Sequence, residues 1–250
     1  MHLNGKHALV TGGGTGIGLA IAQALAAEGA QVTITGRRAE VLEQVATEGL
    51  HPLAMDVRHE EEVVTGIARA VEARGPVQIC VANAGIAVGK TLQKTDMAFW
   101  RDIMATNLDG AFLTIRESLR SMLETDWGRV ITVASIAGLR GAPGAGAYAA
   151  SKHGMIGLTR TYSEEFMGTP YTFNALCPGY VDTPIVERNT ASISQRTGMA
   201  ADDALQLMVN QNRHKRLIAP EEVAAAALWL VLPGSQSING QCIEIAGGQT

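Results

Sequence analysis

Seven short apolar runs, separated by longer stretches of helical periodicity, restrict this chain more than any other feature: residues 8–11, 32–35, 52–55, 77–82, 130–134, 173–177 and 242–245. Runs this short and apolar on both faces suit strands of a parallel sheet covered on each side, because parallel neighbours need crossovers long enough to hold a helix. The intervening segments supply those helices. Ile17, Ile21 and Leu25 recur at i, i+4 and i+8, and Phe112, Ile115, Leu119 and Met122 follow at steps of three, four and three, one apolar stripe in each case. Right-handed crossovers then give a doubly wound α/β sheet of seven parallel strands with helices on both faces. Ligands of such sheets sit beyond the carboxyl ends of the strands, where strand order reverses.

At 250 residues the chain fits a single domain spanning 1–250, with 46% hydrophobic against 18% charged residues, enough to build a core. A formal net charge of −4 leaves no electrostatic reason to expect nucleic acid or an anionic membrane as a partner. Cys80, Cys177 and Cys242 are odd in number and far apart, which suggests neither a disulfide framework nor a metal site. The polar start and the absence of a long apolar run point to a cytoplasmic protein without a leader or membrane span. Residues 183–216, polar and Met-containing, read as a helical lid between the sixth and seventh strands, and Trp100, Trp127 and Trp229 read as packing residues.

Thr11-Gly12-Gly13-Gly14-Thr15-Gly16-Ile17-Gly18 stands directly between the first strand and its helix. Glycine lets backbone N–H groups approach a pyrophosphate, and the helix amino terminus adds about half a positive charge. A dinucleotide fits there; a merely tight strand-to-helix connection is the plainer alternative. The second strand ends in Gly36-Arg37-Arg38, where many NAD-binding chains carry an acid for the adenosine ribose. Two guanidinium groups there can fork onto a 2′-phosphate, which favours NADP(H) while leaving NAD(H) open, or they can simply be solvated. Ser135 closes the fifth strand, and Tyr148 and Lys152 lie four residues apart on one face of the next helix. An ammonium beside a phenol lowers its pKa, and a serine at a strand end can hold a carbonyl oxygen on which charge develops. Taken singly, each of the three also has an ordinary structural reading.

Read together, these segments resemble the short-chain dehydrogenase/reductase family over essentially the whole chain. The glycine turn, with Gly12, Gly14, Thr15, Gly16, Ile17 and Gly18, is similar to the family's cofactor turn; Asp56-Val57 looks like its adenine contact and Asn83-Ala84-Gly85 like its motif after the fourth strand. Asn107, Ser135, Tyr148 and Lys152 match its catalytic four, and Pro178-Gly179, Val181 and Thr183 its nicotinamide-facing segment. The resemblance implies a Rossmann-type fold and interconversion of a ketone and a secondary alcohol by hydride transfer. Tyr148 would exchange the proton, Ser135 hold the carbonyl oxygen, Lys152 bind the ribose and lower the tyrosine pKa, and Asn107 bend its helix and hold a water.

Within the family Gly146 to Lys152 together with Gly154 to Thr159 looks most like the same stretch of bacterial 3-oxoacyl reductases acting on carrier-protein or coenzyme A thioesters. Specificity is expected in residues 136–146, in Tyr180 and in the lid. The resemblance further implies a homotetramer. Two departures stand out: Thr15 where some NADP-preferring relatives carry a base, and Ile245-Ala246-Gly247-Gly248 where many carry Val-Asp-Gly-Gly. The rival readings are an NAD-linked alcohol dehydrogenase acting on cyclic, sugar or steroid alcohols, and a non-catalytic cofactor sensor on the same fold.

Overall fold

The computed structural model describes residues 1–248. Its elements run β1 (His7–Thr11), α1 (Gly16–Ala27), β2 (Gln31–Gly36), α2 (Ala39–Gln44), β3 (Leu50–Ala54), α3 (Glu60–Arg74), β4 (Val77–Ala82), α4 (Met97–Met104), α5 (Gly110–Met122), β5 (Gly128–Val133), α6 (Gly146–Glu165), β6 (Tyr171–Pro178), α7 (Pro184–Thr197), α8 (Ala201–Val209), α9 (Pro220–Val231) and β7 (Cys242–Ile245). The strands form one parallel sheet in the order β3-β2-β1-β4-β5-β6-β7, so the order reverses between β1 and β4. Both flank the glycine turn.

Two cores cover the sheet. Ile21 and Leu25 of α1 and Val223, Ala227 and Leu230 of α9 pack against Val10, Ile34, Ile79 and Ile131 on one face. On the other, Val63 and Ile67 of α3, Ile115 and Leu119 of α5 and Met155 of α6 pack against Leu9, Cys80, Val130 and Phe173. Each Val, Ile, Leu, Met or Phe side chain among them, removed from water, contributes roughly 1.5–3 kcal/mol. Helix ends follow local chemistry: α1 stops at Gly29, whose φ of 97° is open only to glycine, and α9 starts at Pro220 with the Glu222 carboxylate accepting the Ala219 N–H at 2.8 Å. No helix among the described residues is long and apolar enough to cross a membrane.

Several strands begin earlier than their apolar runs because polar residues are buried at the foot of the sheet. His7 donates from Nδ1 to the Gly75 carbonyl at 2.7 Å, which leaves Nε2 to face the Thr33 hydroxyl at 2.8 Å. Arg129 gives one guanidinium nitrogen to the Gly128 and Pro170 carbonyls and lies 4.7 Å from the Trp127 ring centroid. The edge strand β7 is only half-buried, since no strand among the described residues pairs beyond it. Phe112 and Trp229 depart from the expected packing: both are exposed, Phe112 under the Arg116 guanidinium, because α5 and α9 meet the sheet with their other faces.

Candidate active site

The glycine turn is held against the end of β4 by Thr11 and Asn83. Thr11 Oγ1 accepts the N–H groups of Asn83 and Ala84, each at 3.0 Å, and Asn83 Nδ2 donates to the Thr11 carbonyl at 2.8 Å. Thr15 precedes α1 in an extended conformation without bonding the helix through its side chain, and the first turn carries no acid. Its backbone donors and dipole therefore face a groove of about 220 Å³. A Cβ on Gly12 would lie 3.1 Å from Ala84 Cα and one on Gly16 3.0 Å from Thr183 Cγ2, so the turn is a cradle kept open by missing side chains. These features fit a dinucleotide pyrophosphate.

Every residue expected at the adenine half lines this groove: Gly14, Ile17 and Gly18 of the turn, Arg37 and Arg38 after β2, Asp56 and Val57 after β3, and Asn83, Ala84 and Gly85 after β4. Asp56 is less available than its motif suggests. Arg58 donates Nε to both carboxylate oxygens at 3.1 Å and a second nitrogen at 2.7 Å. Burial alone would raise this carboxyl, but the Arg58 bonds and charge hold it below its ordinary value. An adenine amino group reaching Asp56 would share those oxygens with Arg58. Arg188 of α7 also lines the groove, which local sequence gave no reason to expect.

The groove continues into a cleft of about 410 Å³ beyond the ends of β4, β5 and β6. Ile17, Asn83, Gly85 and Thr183 line both. Ser135, Tyr148 and Lys152 line the cleft together with Pro178, Gly179 and Val181. Ser135 stands two residues past β5 rather than within it; its hydroxyl accepts the Ala137 N–H at 3.1 Å and lies within hydrogen-bonding reach of the Tyr148 phenol. Tyr148 and Lys152 share one face of α6, with Nζ 5.8 Å from the ring centroid. Lys152 is buried, donates to the Val133 carbonyl at 2.8 Å, and is pushed down to about 8 by that burial.

Burial pushes the Tyr148 phenol above its ordinary value; the Ser135 hydrogen bond opposes this and the nearby Tyr180 phenol adds to it. The Lys152 ammonium, 5.8 Å from the Tyr148 ring centroid, donates to the Val133 carbonyl. Asn107 lies inside a π-helical turn over Ala105–Asp109. Its side chain is fully occupied: Oδ1 accepts the Ile86 N–H at 2.8 Å, and Nδ2 donates to the Ile86 carbonyl and Ser151 Oγ, both at 3.0 Å. With both amide hydrogens used, a water would have to take the remaining lone pair of Oδ1 or a backbone group.

Several side chains near the site have structural roles instead. Cys177 is buried with its thiol pushed up to about 12 by burial, and His153 is exposed, bonded to the Ala149 carbonyl. Arg216 forks onto Glu222 rather than facing a ligand. Of the two lid methionines, Met208 lines the cleft and Met199 does not.

A family model described as short chain dehydrogenase matches residues 6–194. The chain belongs to this family. It is accordingly an oxidoreductase that uses a nicotinamide cofactor, NAD(P)(H), to interconvert a ketone and an alcohol. It is similar to D-beta-hydroxybutyrate dehydrogenase of Cupriavidus necator, 35% identical over 98% of each chain. It is also similar to the 3-oxoacyl-[acyl-carrier-protein] reductase of Aquifex aeolicus, 32% identical over 98% of each. Among solved structures, a variant of actinorhodin polyketide ketoreductase with NADPH superposes with a TM-score of 0.93 at 33% identity, over 98% of this chain and 97% of that one.

Proposed function

We propose that the protein reduces the ketone of a 3-oxoacyl compound with NADPH, using Asn107, Ser135, Tyr148 and Lys152. The observation that carries this reading is the continuity of groove and cleft: a dinucleotide laid along the glycine turn reaches, past Asn83, Gly85 and Thr183, the wall that holds Ser135 and Tyr148. When bound, the nicotinamide supplies the hydride. Ser135 holds the substrate oxygen, and Tyr148 donates the proton that the oxygen needs as it gains negative charge. A phenol raised by burial is protonated at neutral pH, which suits a donor in reduction. Lys152, still largely charged at pH 7, binds the ribose and offsets the growing charge. Asn107 fixes Ile86 and Ser151 and so the floor on which Lys152 stands.

The NADP preference rests on Arg37 and Arg38 beside a glycine, in a groove whose acid, Asp56, is already neutralised by Arg58. The substrate class is supported by mainly apolar walls, including Ile136, Val186 and Met208, facing the polar Ser135 and Tyr148 end. Two similar proteins are also named for 3-oxo or 3-hydroxy acyl compounds. Residues 183–216 act as the lid, since α7 and α8 contribute Val186, Ile193 and Met208 to the cleft. The exposed Phe112 on α5 and Trp229 on α9 support an assembly through those helices, a homotetramer in this reading.

The test is oxidation of NADPH and NADH followed with acetoacetyl-CoA, short 3-oxoacyl thioesters, cyclic ketones and sugar ketones, repeated on Arg37→Ala/Arg38→Ala. Thioester-dependent NADPH oxidation is expected. The double variant should lose about 10- to 100-fold in NADPH-over-NADH selectivity, as the net loss of one charge-assisted bond of roughly 1.5–3 kcal/mol implies. Activity confined to NADH, or a selectivity indifferent to both arginines, refutes the coenzyme reading.

A further inference from the structure

A second phenol shares the cleft with Tyr148. Tyr180 follows Pro178-Gly179 directly after β6 and lines the cleft together with Ser135, Tyr148 and Arg140. Its backbone is clamped: the Tyr180 N–H donates to Asn212 Oδ1 at 3.1 Å, and its carbonyl accepts from Asn212 Nδ2 at 2.8 Å and from the Ile218 N–H at 3.0 Å. Asn212 is fully buried and spends its remaining amide hydrogen on the Arg216 carbonyl at 2.8 Å. The segment between α8 and α9 is thereby locked to the residue that presents the phenol. The placement is rigid, and the hydroxyl it delivers has no hydrogen-bond partner among the described residues.

We propose that Tyr180 is a specificity-determining residue that donates a hydrogen bond to a second oxygen of the substrate, the acyl carbonyl or carboxyl oxygen beside the ketone that Ser135 and Tyr148 hold. This deepens the 3-oxoacyl reading of the same site and rests on it. A ketone without a second oxygen leaves the Tyr180 hydroxyl desolvated and unpaired when the cleft is filled, and that mismatch is what a site built to hydrogen-bond its substrate discriminates against. Electrostatics point the same way. Burial raises the Tyr180 phenol, while the Arg140 charge works in the opposite direction and so favours an electron-rich oxygen at this end of the cleft. Asn212 is the positioning residue for this contact, and the apolar wall of Ile136, Val186 and Met208 takes the rest of the acyl chain.

Ethyl acetoacetate and 2-heptanone have the same chain length and differ in the ester group that carries the second carbonyl, so the change in their kcat/KM ratio between wild type and a Tyr180 variant reads the contact. Wild type should favour the ester. Tyr180→Phe, which keeps the ring and the backbone clamp, should lower the ester-to-ketone ratio about 5- to 10-fold, mostly through KM for the ester, as loss of one neutral hydrogen bond implies. Thermal unfolding of the variant with wild-type midpoint shows that the change is local. A ratio unchanged within twofold overturns the assignment of Tyr180 and leaves the ketone reductase reading standing. A wild-type protein that reduces neither compound with NADPH or NADH overturns that reading, and this assignment with it.

Discussion

Gly18→Ala tests whether the cofactor groove is made by close backbone approach rather than by glycine flexibility. A Cβ at Gly18 would overlap the Gly12 carbonyl oxygen and Asn83 Nδ2, and would lie 2.9 Å from the Gly12 carbonyl carbon. Two of these atoms are backbone, and the third is the amide that pins the turn to Thr11. No rotamer change relieves the clash; either α1 retreats from the turn or Asn83 releases its bonds. Overpacking of this kind costs about 1–3 kcal/mol, and stranding a buried amide about 1–3 kcal/mol more, roughly 2–6 kcal/mol together. For a chain of this size that corresponds to a melting point lower by at least about 5 °C. Distortion that persists in the folded variant should weaken nicotinamide-cofactor binding by about 30-fold or more. Gly14→Ala is the internal control. Its Cβ would meet only the Leu42 and Val41 side chains, at 3.1 and 3.2 Å, which can shift, so its cost should stay within about 1 kcal/mol. Scanning fluorimetry and NADPH fluorescence titration of both variants decide the matter. Equal behaviour of the two, or wild-type binding and melting by Gly18→Ala, refutes the close-approach account.

Two further outcomes follow from the same structure. Tyr148→Phe should reduce ketone turnover by about 100- to 10,000-fold, the span of a lost general acid, with NADPH titrating as in wild type; retained turnover would identify a different proton donor. His7, held near 4 against 6.5 by burial, binds fewer protons folded than unfolded between those values. Its contribution is therefore complete above pH 6.5 and is lost as pH falls through 4, about 3 kcal/mol from 2.5 units at 1.36 kcal/mol each. Denaturant melts of wild type and His7→Gln across pH 7.5 to 4 should converge on acidification by that order, and parallel curves would show that the imidazole is not buried as described.

What the sequence made legible is what local spacing encodes. A strand, a glycine turn and a helix are contiguous, so the cofactor cradle could be placed from ten residues. Tyr148 and Lys152 lie one helical turn apart, so their shared face needed no knowledge of the fold. The contacts that tune the site are of another kind. Asn212 reaches Tyr180 across 32 positions and Asn107 reaches Ile86 across 21, in each case through a side-chain amide bonding a backbone that no periodicity marks. Arg188 enters the cofactor groove only because α7 folds back over it, and Asp56 is withdrawn by an arginine two positions away whose rotamer the motif does not specify. Polar strand ends such as His7 and Arg129 hid real sheet residues, since their burial depends on carbonyls from other elements. The same division explains why the reaction class was readable and the substrate was not. The residues proposed for proton transfer are fixed on one helix and just past one strand end. On the proposed reading substrate choice uses Tyr180, whose backbone is fixed by a buried amide near the end of the lid, so substrate preference in this chain should change with the lid's anchoring as readily as with the residues that line the cleft.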